Sequence, residues 1–144
     1  MTKKEAGVEA QRYFEQWLPL SRHSVKLAKT SIVNGVPRHA AFNLHQATEA
    51  AYHCLLLTLT LYSPKSHRIK MLRSKAEELD KRLIVAWPRD NRLARRRFEL
   101  LSRAYVEARY SLNYEISDEE LKWLVDRVKA LQDMVEVICQ ERLT

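Results

Sequence analysis

Residues 117–138, SDEELKWLVDRVKALQDMVEVI, carry the strongest structural signal in the chain. Ser117 followed three residues later by Glu120 is the pattern of a capping box, which marks the first turn of a helix. Acidic residues in that turn also suit the positive end of the helix dipole. The apolar residues behind it recur at the spacing of one helix face: Leu121, Leu124, Val128, Leu131, Val135 and Ile138. This pattern predicts a long amphipathic helix.

Helical spacing of apolar residues extends upstream through the remainder of the chain. It predicts further helices over about 4–33, 37–61, 66–79 and 91–110. Pro19 is expected to kink the first helix or to split off a short N-terminal piece, and Ser66 to cap the third. Because long amphipathic helices with short connections fold back on one another, we predict one all-α domain over residues 1–144. Its architecture is an antiparallel up-down helical bundle of four long helices plus a short one.

Composition excludes several classes of protein. The 144 residues suit one hydrophobic core, and 25 basic against 18 acidic residues give a formal charge of +7. Only two glycines are present, and the chain lacks the patterns G-x-G-x-x-G, G-x-x-x-x-G-K-[ST] and G-x-S-x-G. Rossmann enzymes, P-loop NTPases and α/β-hydrolases need those glycines for tight turns and phosphate contacts, so they are excluded.

The cysteines and the chain ends bear on cellular location. Cys54 and Cys139 stand alone in apolar surroundings, which favours a reducing compartment and argues against zinc. The longest apolar stretch, residues 54–62, is far shorter than a membrane span. Met1 leads into charged sequence rather than a secretory signal, and we expect a free-standing protein. We therefore expect a cytoplasmic protein without metal or cofactor.

The predicted second helix carries polar residues along one side. They are His45, Thr48, Glu49, Tyr52 and His53. They line a ligand groove in one interpretation, and are satisfied polar residues at a helix interface in the other. Glu49 and His53 supply only two of the three or four ligands that a metal site needs. Residues 54–61 are apolar nearly all round, so this half is central in the bundle or shared with a second subunit.

Two other segments are candidates for binding an anion. Pro64-Lys65-Ser66-His67 is a turn before a helix N-terminus, where free backbone N–H groups and positive side chains favour phosphate. Arg109, with Tyr110 and Tyr114, lies at the end of the predicted fourth helix. Arginine pairs with phosphate through two parallel hydrogen bonds, and tyrosine can stack on a base. The alternative is that Arg109 pairs with a nearby carboxylate, Glu107 or Glu115, and only closes the bundle.

Most of the positive excess lies in a basic stretch around the start of the fourth helix. Its members are Arg89, Arg92, Arg95, Arg96, Arg97 and Arg103. A basic face attracts nucleic acid by neutralising phosphates. Such a run is more often only a solvated face, and Asp90 and Glu99 partly offset it.

The order of motifs resembles the HEPN domain family (higher eukaryotes and prokaryotes nucleotide-binding). The resemblance rests on AAFNLHQATE (40–49), PKSH (64–67), RAYVEARY (103–110) and the run from Tyr114 to Leu124. It covers residues 8–142 and is strongest to the HEPN domains of bacterial nucleotidyltransferase–HEPN proteins. It implies a helical bundle, commonly a homodimer, with a nucleotide or RNA as ligand. It also implies a minimal nucleotidyltransferase as partner, in a toxin–antitoxin or related defence or stress system.

Many family members are ribonucleases with an Arg followed after four to six residues by His. Here the residue that follows Arg109 at that spacing is Tyr114. Arg38 and His45 match the spacing formally but lie on the second helix. Since a tyrosine hydroxyl titrates near 10, Tyr114 is a poor general base at neutral pH.

The leading hypothesis is therefore a non-catalytic module that binds phosphate. Lys65, His67 and Arg109 would supply charge, and Tyr110 and Tyr114 would supply stacking or hydroxyl contacts. A ribonuclease toxin with an atypical active site, using His45 or His53, is the first alternative. A structural dimerisation domain without ligand is the second.

Overall fold

The computed structural model describes residues 1–144, and its secondary structure is helical, without a strand. Five α-helices run over Lys3–Val33 (α1), Pro37–Thr60 (α2), Ile69–Leu79 (α3), Arg92–Tyr110 (α4) and Asp118–Leu143 (α5). A 3-10 helix, Lys81–Ala86, lies in the connection before α4. The prediction of an all-α bundle with four long helices and a short one is confirmed. None of these helices combines the length and the hydropathy that a membrane crossing requires.

The helix ends follow local chemistry, with two differences from the predictions. Capping boxes start α1 at Thr2 and α5 at Ser117. The alternative in which Pro19 splits off a short N-terminal piece is wrong, because α1 is one helix through that residue. Pro19 is exposed, so water can reach the carbonyl oxygen that the proline leaves without its usual donor. The predicted cap at Ser66 is also wrong, since α3 begins at Ile69 and the Ser66 hydroxyl accepts from the amide of Arg68 instead.

Helix α2 lies at the centre of the bundle and packs against each of the other four α-helices. The hydroxyl of buried Ser21 in α1 donates to the carbonyl of Ala47 in α2 (2.6 Å) and accepts from Gln132 in α5 (2.8 Å). The apolar second half of α2 is largely covered by these neighbours, with Cys54, Leu55 and Leu56 buried. Burial within one chain accounts for the apolar pattern, so that pattern gives no independent argument for a second subunit.

Helix α4 runs antiparallel to α2, and contacts at both ends fix its position. At one end, Arg38 of α2 donates to the carbonyls of Ala108 (3.2 Å) and Tyr114 (3.0 Å). At the other, the indole N–H of Trp87 donates to the hydroxyl of Tyr52 (2.9 Å), and both side chains are buried. The C-terminal end of α4 is therefore held beside the N-terminal half of α2.

Candidate functional site

The loop over residues 61–68 is fixed against α2 by two histidines. The ring Nδ1 of His53 is hydrogen-bonded to the hydroxyl of Ser63 (2.5 Å). The Nδ1–H of His67 donates to Oε1 of Glu49 (2.5 Å). The Glu49 side chain is only 8% exposed, whereas that of His67 is 57% exposed. A buried carboxylate needs a hydrogen-bond partner, so this contact explains why the loop lies across α2.

An aromatic and cationic surface continues from His67 onto α4. The His67 ring stacks on Tyr105, with ring centroids 4.3 Å apart and planes 12° apart. The guanidinium carbon of Arg109 lies 4.7 Å from the Tyr105 ring centroid, 4.8 Å from that of Phe42 and 5.0 Å from that of Tyr110. We refer to Phe42, Tyr105, Arg109 and Tyr110 as the Arg109 surface. Tyr105 thus joins His67 of the loop to Arg109 at the end of α4.

Arg109 is exposed and has no carboxylate within salt-bridge distance. Its Nε–H donates to the carbonyl of Tyr105 (2.8 Å), and its terminal amino groups make no hydrogen bond within the chain. Glu107, one of the two expected acidic partners, pairs with Arg103 instead (3.0 Å). The alternative in which Arg109 pairs with a nearby carboxylate and only closes the bundle is therefore not the arrangement that the structure shows.

Tyr114 does not lie on this surface, which corrects its predicted place in the site. Its side chain is 2% exposed, and its hydroxyl donates to the carbonyl of Leu100 (2.9 Å). Burial raises the pKa of the Tyr114 hydroxyl well above its usual range. Tyr114, which stands where many family members have a histidine, is therefore a core residue. Its ring has no exposed face for a nucleobase to stack on, and its hydroxyl is not free to contact a phosphate.

His45 does not line a groove either, although its neighbours on α2 do. It is fully buried, and neither ring nitrogen has a hydrogen-bond partner. Burial lowers the pKa of His45 to about 4, so the ring is neutral at physiological pH. Since Arg38 is engaged with two backbone carbonyls, the formal Arg38–His45 match is a pair of structural residues.

Glu49 and His53 line a pocket between α1, α2 and the 61–68 loop, with a cavity volume of about 620 Å³. Lys65 and His67 lie in its wall on the loop side. We call this the α1–α2 pocket. Its complete lining is Trp17, Leu20, Ser24, Leu27, Asn43, Gln46, Glu49, Ala50, His53, Leu57, Ser63, Pro64, Lys65, Ser66 and His67. No group of three His, Cys, Asp or Glu side chains in the chain has the arrangement of a metal site.

The basic stretch is divided by ion pairs and does not form one free surface. Arg89 pairs with Glu77, and Arg97 is buried between Glu119 (3.3 Å) and the ring of Trp123. Arg103 pairs with Glu107, as described above. The exposed arginines that are left without a carboxylate partner are Arg92, Arg95 and Arg96. The nucleic-acid interpretation of the whole stretch is correspondingly weaker than that of the Arg109 surface.

Sequence reasoning missed the residues that connect the site. Tyr105 and Phe42 lie within the quoted 103–110 and 40–49 blocks without a predicted role of their own, and Trp17 lies outside every quoted block. Their roles depend on which helices become neighbours, and spacing within one helix does not report that. The amide side chain of Gln46 lay within the quoted 40–49 block but had no chemical signal of its own.

Comparison with known families agrees with this architecture. The model of the HEPN domain family matches residues 14–138, which is most of the chain, and the chain therefore belongs to the HEPN family. Membership is consistent with a nucleotide-related module. No curated protein sequence matches the chain. The finer resemblance to nucleotidyltransferase–HEPN proteins stays a prediction.

Proposed function

We propose that this HEPN domain binds the phosphate of a nucleotide or nucleic acid at the Arg109 surface without cleaving it. The observation that carries the proposal is the state of Arg109. Its guanidinium is exposed, lies against three aromatic rings, and keeps both terminal amino groups free of protein partners.

The chemistry of the guanidinium favours a phosphate ligand. Arginine presents its N–H donors in a planar fork that matches two phosphate oxygens, and hydrogen bonds between charged partners are about twice as strong as neutral ones. The rings of Phe42 and Tyr105 and the bond to the Tyr105 carbonyl already hold the side chain in place. Because less side-chain freedom remains to be lost on binding, the entropic penalty is smaller.

The surroundings add charge and a stacking partner. Tyr110 is 73% exposed, so its ring is available for a base, and stacking on an aromatic ring is tolerant of base identity. Lys65 is exposed and has no carboxylate partner, and the chain carries a formal charge of +7. An overall positive potential increases the rate at which polyanions arrive.

The non-catalytic part of the proposal rests on Tyr114. Cleavage through the 2′-hydroxyl needs a group that exchanges a proton near neutral pH. Tyr114 is buried, its hydroxyl already donates a hydrogen bond, and burial raises its pKa further from neutrality. It therefore does not replace the missing imidazole.

The test is the binding of a fluorescein-labelled single-stranded RNA, followed by fluorescence anisotropy. Arg109→Ala is expected to weaken binding by about tenfold, since a charged hydrogen bond contributes roughly 1.5–3 kcal/mol before any loss by solvent exposure. Arg12→Ala is the matched control, because Arg12 is an exposed arginine of α1 whose loss changes the net charge equally. Equal affinities for the two variants would remove Arg109 from the site.

The partners implied by the resemblance belong to the same proposal. We propose a cytoplasmic homodimer that associates with a minimal nucleotidyltransferase, supported by the four sequence blocks of the resemblance. Co-expression with a minimal nucleotidyltransferase encoded beside the gene, followed by size-exclusion chromatography with light scattering, measures both associations. A monomer that elutes apart from the transferase would contradict this part.

A ribonuclease remains the second candidate because of one specific contact. The exposed His67 ring donates through Nδ1 to buried Glu49, an arrangement that orients an imidazole and leaves its other nitrogen available to accept a proton. The candidate residue thus differs from the expected His45, which is buried, and from His53. RNA degradation by the purified protein that is lost in both His67→Ala and Glu49→Gln would favour the enzyme. Intact RNA would favour the binding module.

A further inference from the structure

We propose that the α1–α2 pocket binds the base of a nucleotide whose phosphate lies at the pocket rim beside Lys65 and His67. This inference rests on the proposed function for its ligand class and adds a second, separate subsite. The juxtaposition that carries it is an aromatic pair, a set of unpaired polar groups and two basic side chains around one cavity.

The size and the walls of the pocket fit a planar ring. Its volume of about 620 Å³ lies within the range of small-molecule sites. Trp17 of α1 and His53 of α2 form an aromatic pair in the wall, with centroids 5.3 Å apart and planes inclined by 51°. Leu20, Leu27 and Leu57 supply apolar surface. A base can therefore contact a ring face and aliphatic side chains together.

Polar groups in the pocket are left without partners, which is the second argument. The side-chain amide of Gln46 makes no hydrogen bond within the chain. Glu49 uses Oε1 for His67, and its Oε2 makes no hydrogen bond. A nucleobase edge offers both donors and acceptors, so an amide and a carboxylate oxygen are suitable partners.

An apolar occupant fits the pocket less well. It would cover the Gln46 amide and the free oxygen of Glu49 without replacing their hydrogen bonds to water. Leaving a buried polar group unsatisfied is expensive, and more so for a charged one. A base satisfies these groups while its faces contact Trp17, so the polar and apolar parts of the lining are both used.

The rim supplies the charge for the phosphate. Lys65 and His67 are exposed and line the loop side of the pocket. His67 also stacks on the ring of Tyr105, and the guanidinium of Arg109 lies against that same ring. A nucleic-acid strand whose base enters the pocket would thus continue toward the Arg109 surface.

The test uses Trp17 as a probe, with AMP, GMP, CMP and UMP added at constant ionic strength. The other two tryptophans lie elsewhere, since Trp87 is buried in the core and Trp123 packs under Arg97. We expect at least one mononucleotide to change the fluorescence saturably, and Trp17→Phe to abolish the change. The corresponding nucleoside should bind more weakly than its monophosphate because it makes no rim contact.

Matched variants separate this inference from the proposed function. Gln46→Ala should weaken mononucleotide binding by about tenfold, while Gln140→Ala, an exposed glutamine of α5, should not. Arg109→Ala should weaken RNA binding by about tenfold, and this result is read separately from the effect of Gln46→Ala on mononucleotide binding. Thermal unfolding verifies that each variant is folded.

Two results would overturn the inference. One is the absence of a saturable response to every mononucleotide while RNA still binds through Arg109, which would leave the proposed function intact. The other is a response that persists unchanged in Gln46→Ala, which would place the ligand elsewhere. A response that depends on Gln46, together with RNA binding that ignores Arg109, would support the pocket and refute the Arg109 surface.

Discussion

His45→Leu should reduce the loss of stability that the protein undergoes in mild acid. The His45 ring is buried and makes no hydrogen bond, and burial lowers its pKa to about 4 from the ordinary histidine value of 6.5. As the pH falls below about 6.5, the His45 ring is protonated in the unfolded chain before it is protonated in the folded protein. The contribution of the neutral His45 ring to the free energy of unfolding is therefore present above pH 6.5 and is lost progressively between pH 6.5 and 4.

The magnitude follows from the two pKa values. One pKa unit corresponds to about 1.36 kcal/mol, so the whole shift is worth roughly 3 kcal/mol, of which roughly 2 kcal/mol is lost between about pH 7.5 and about pH 5. Urea unfolding followed by circular dichroism at those two pH values measures the difference. His39→Leu is the control, because His39 is an exposed histidine of the same helix.

The wild type and His39→Leu should lose about 2 kcal/mol more than His45→Leu over this interval. At neutral pH, His45→Leu breaks no hydrogen bond, so its stability should stay close to that of the wild type. An unchanged pH dependence in His45→Leu would refute the reasoning that this ring is buried and neutral.

Three further changes act on stability and are measured by urea unfolding. Tyr114→Phe should lower the free energy of unfolding by about 1 kcal/mol through the lost bond to Leu100, with unchanged RNA affinity; weaker RNA binding would contradict its core placement. Ser117→Ala should remove about 1 kcal/mol with the capping box to Glu120, and no loss would argue against that cap. Pro19→Ala should stabilise α1 by about 1–2 kcal/mol, whereas destabilisation would indicate a required bend.

The helices were predictable because their signals are local. The capping box at Ser117 and the apolar spacing after it are properties of neighbouring residues, and α5 starts where they indicate. Pro19 shows the limit of local reasoning. A proline weakens a helix, but packing of the Leu18 and Ser21 side of α1 against the bundle keeps the helix continuous.

The site was predictable only in part, for a geometric reason. Motifs identified Arg109 and His67, yet their common contact with Tyr105 depends on the packing of α4 beside α2. The spacing after Arg109 also selects Tyr114, but spacing alone does not determine whether the side chain is buried or exposed. A residue just after a helix can enter the core or face water. The Tyr114 ring enters the core, and its hydroxyl donates to the carbonyl of Leu100 there.

The salt dependence of RNA affinity tests most directly whether Arg109 neutralises a phosphate. Each phosphate contact on a single strand contributes a slope of roughly 0.7 to log Kd against log salt, because binding releases condensed counterions. The account predicts that Arg109→Ala lowers this slope by about that amount. Arg12→Ala should retain the wild-type slope. Equal slopes for the wild type and Arg109→Ala would contradict the central claim.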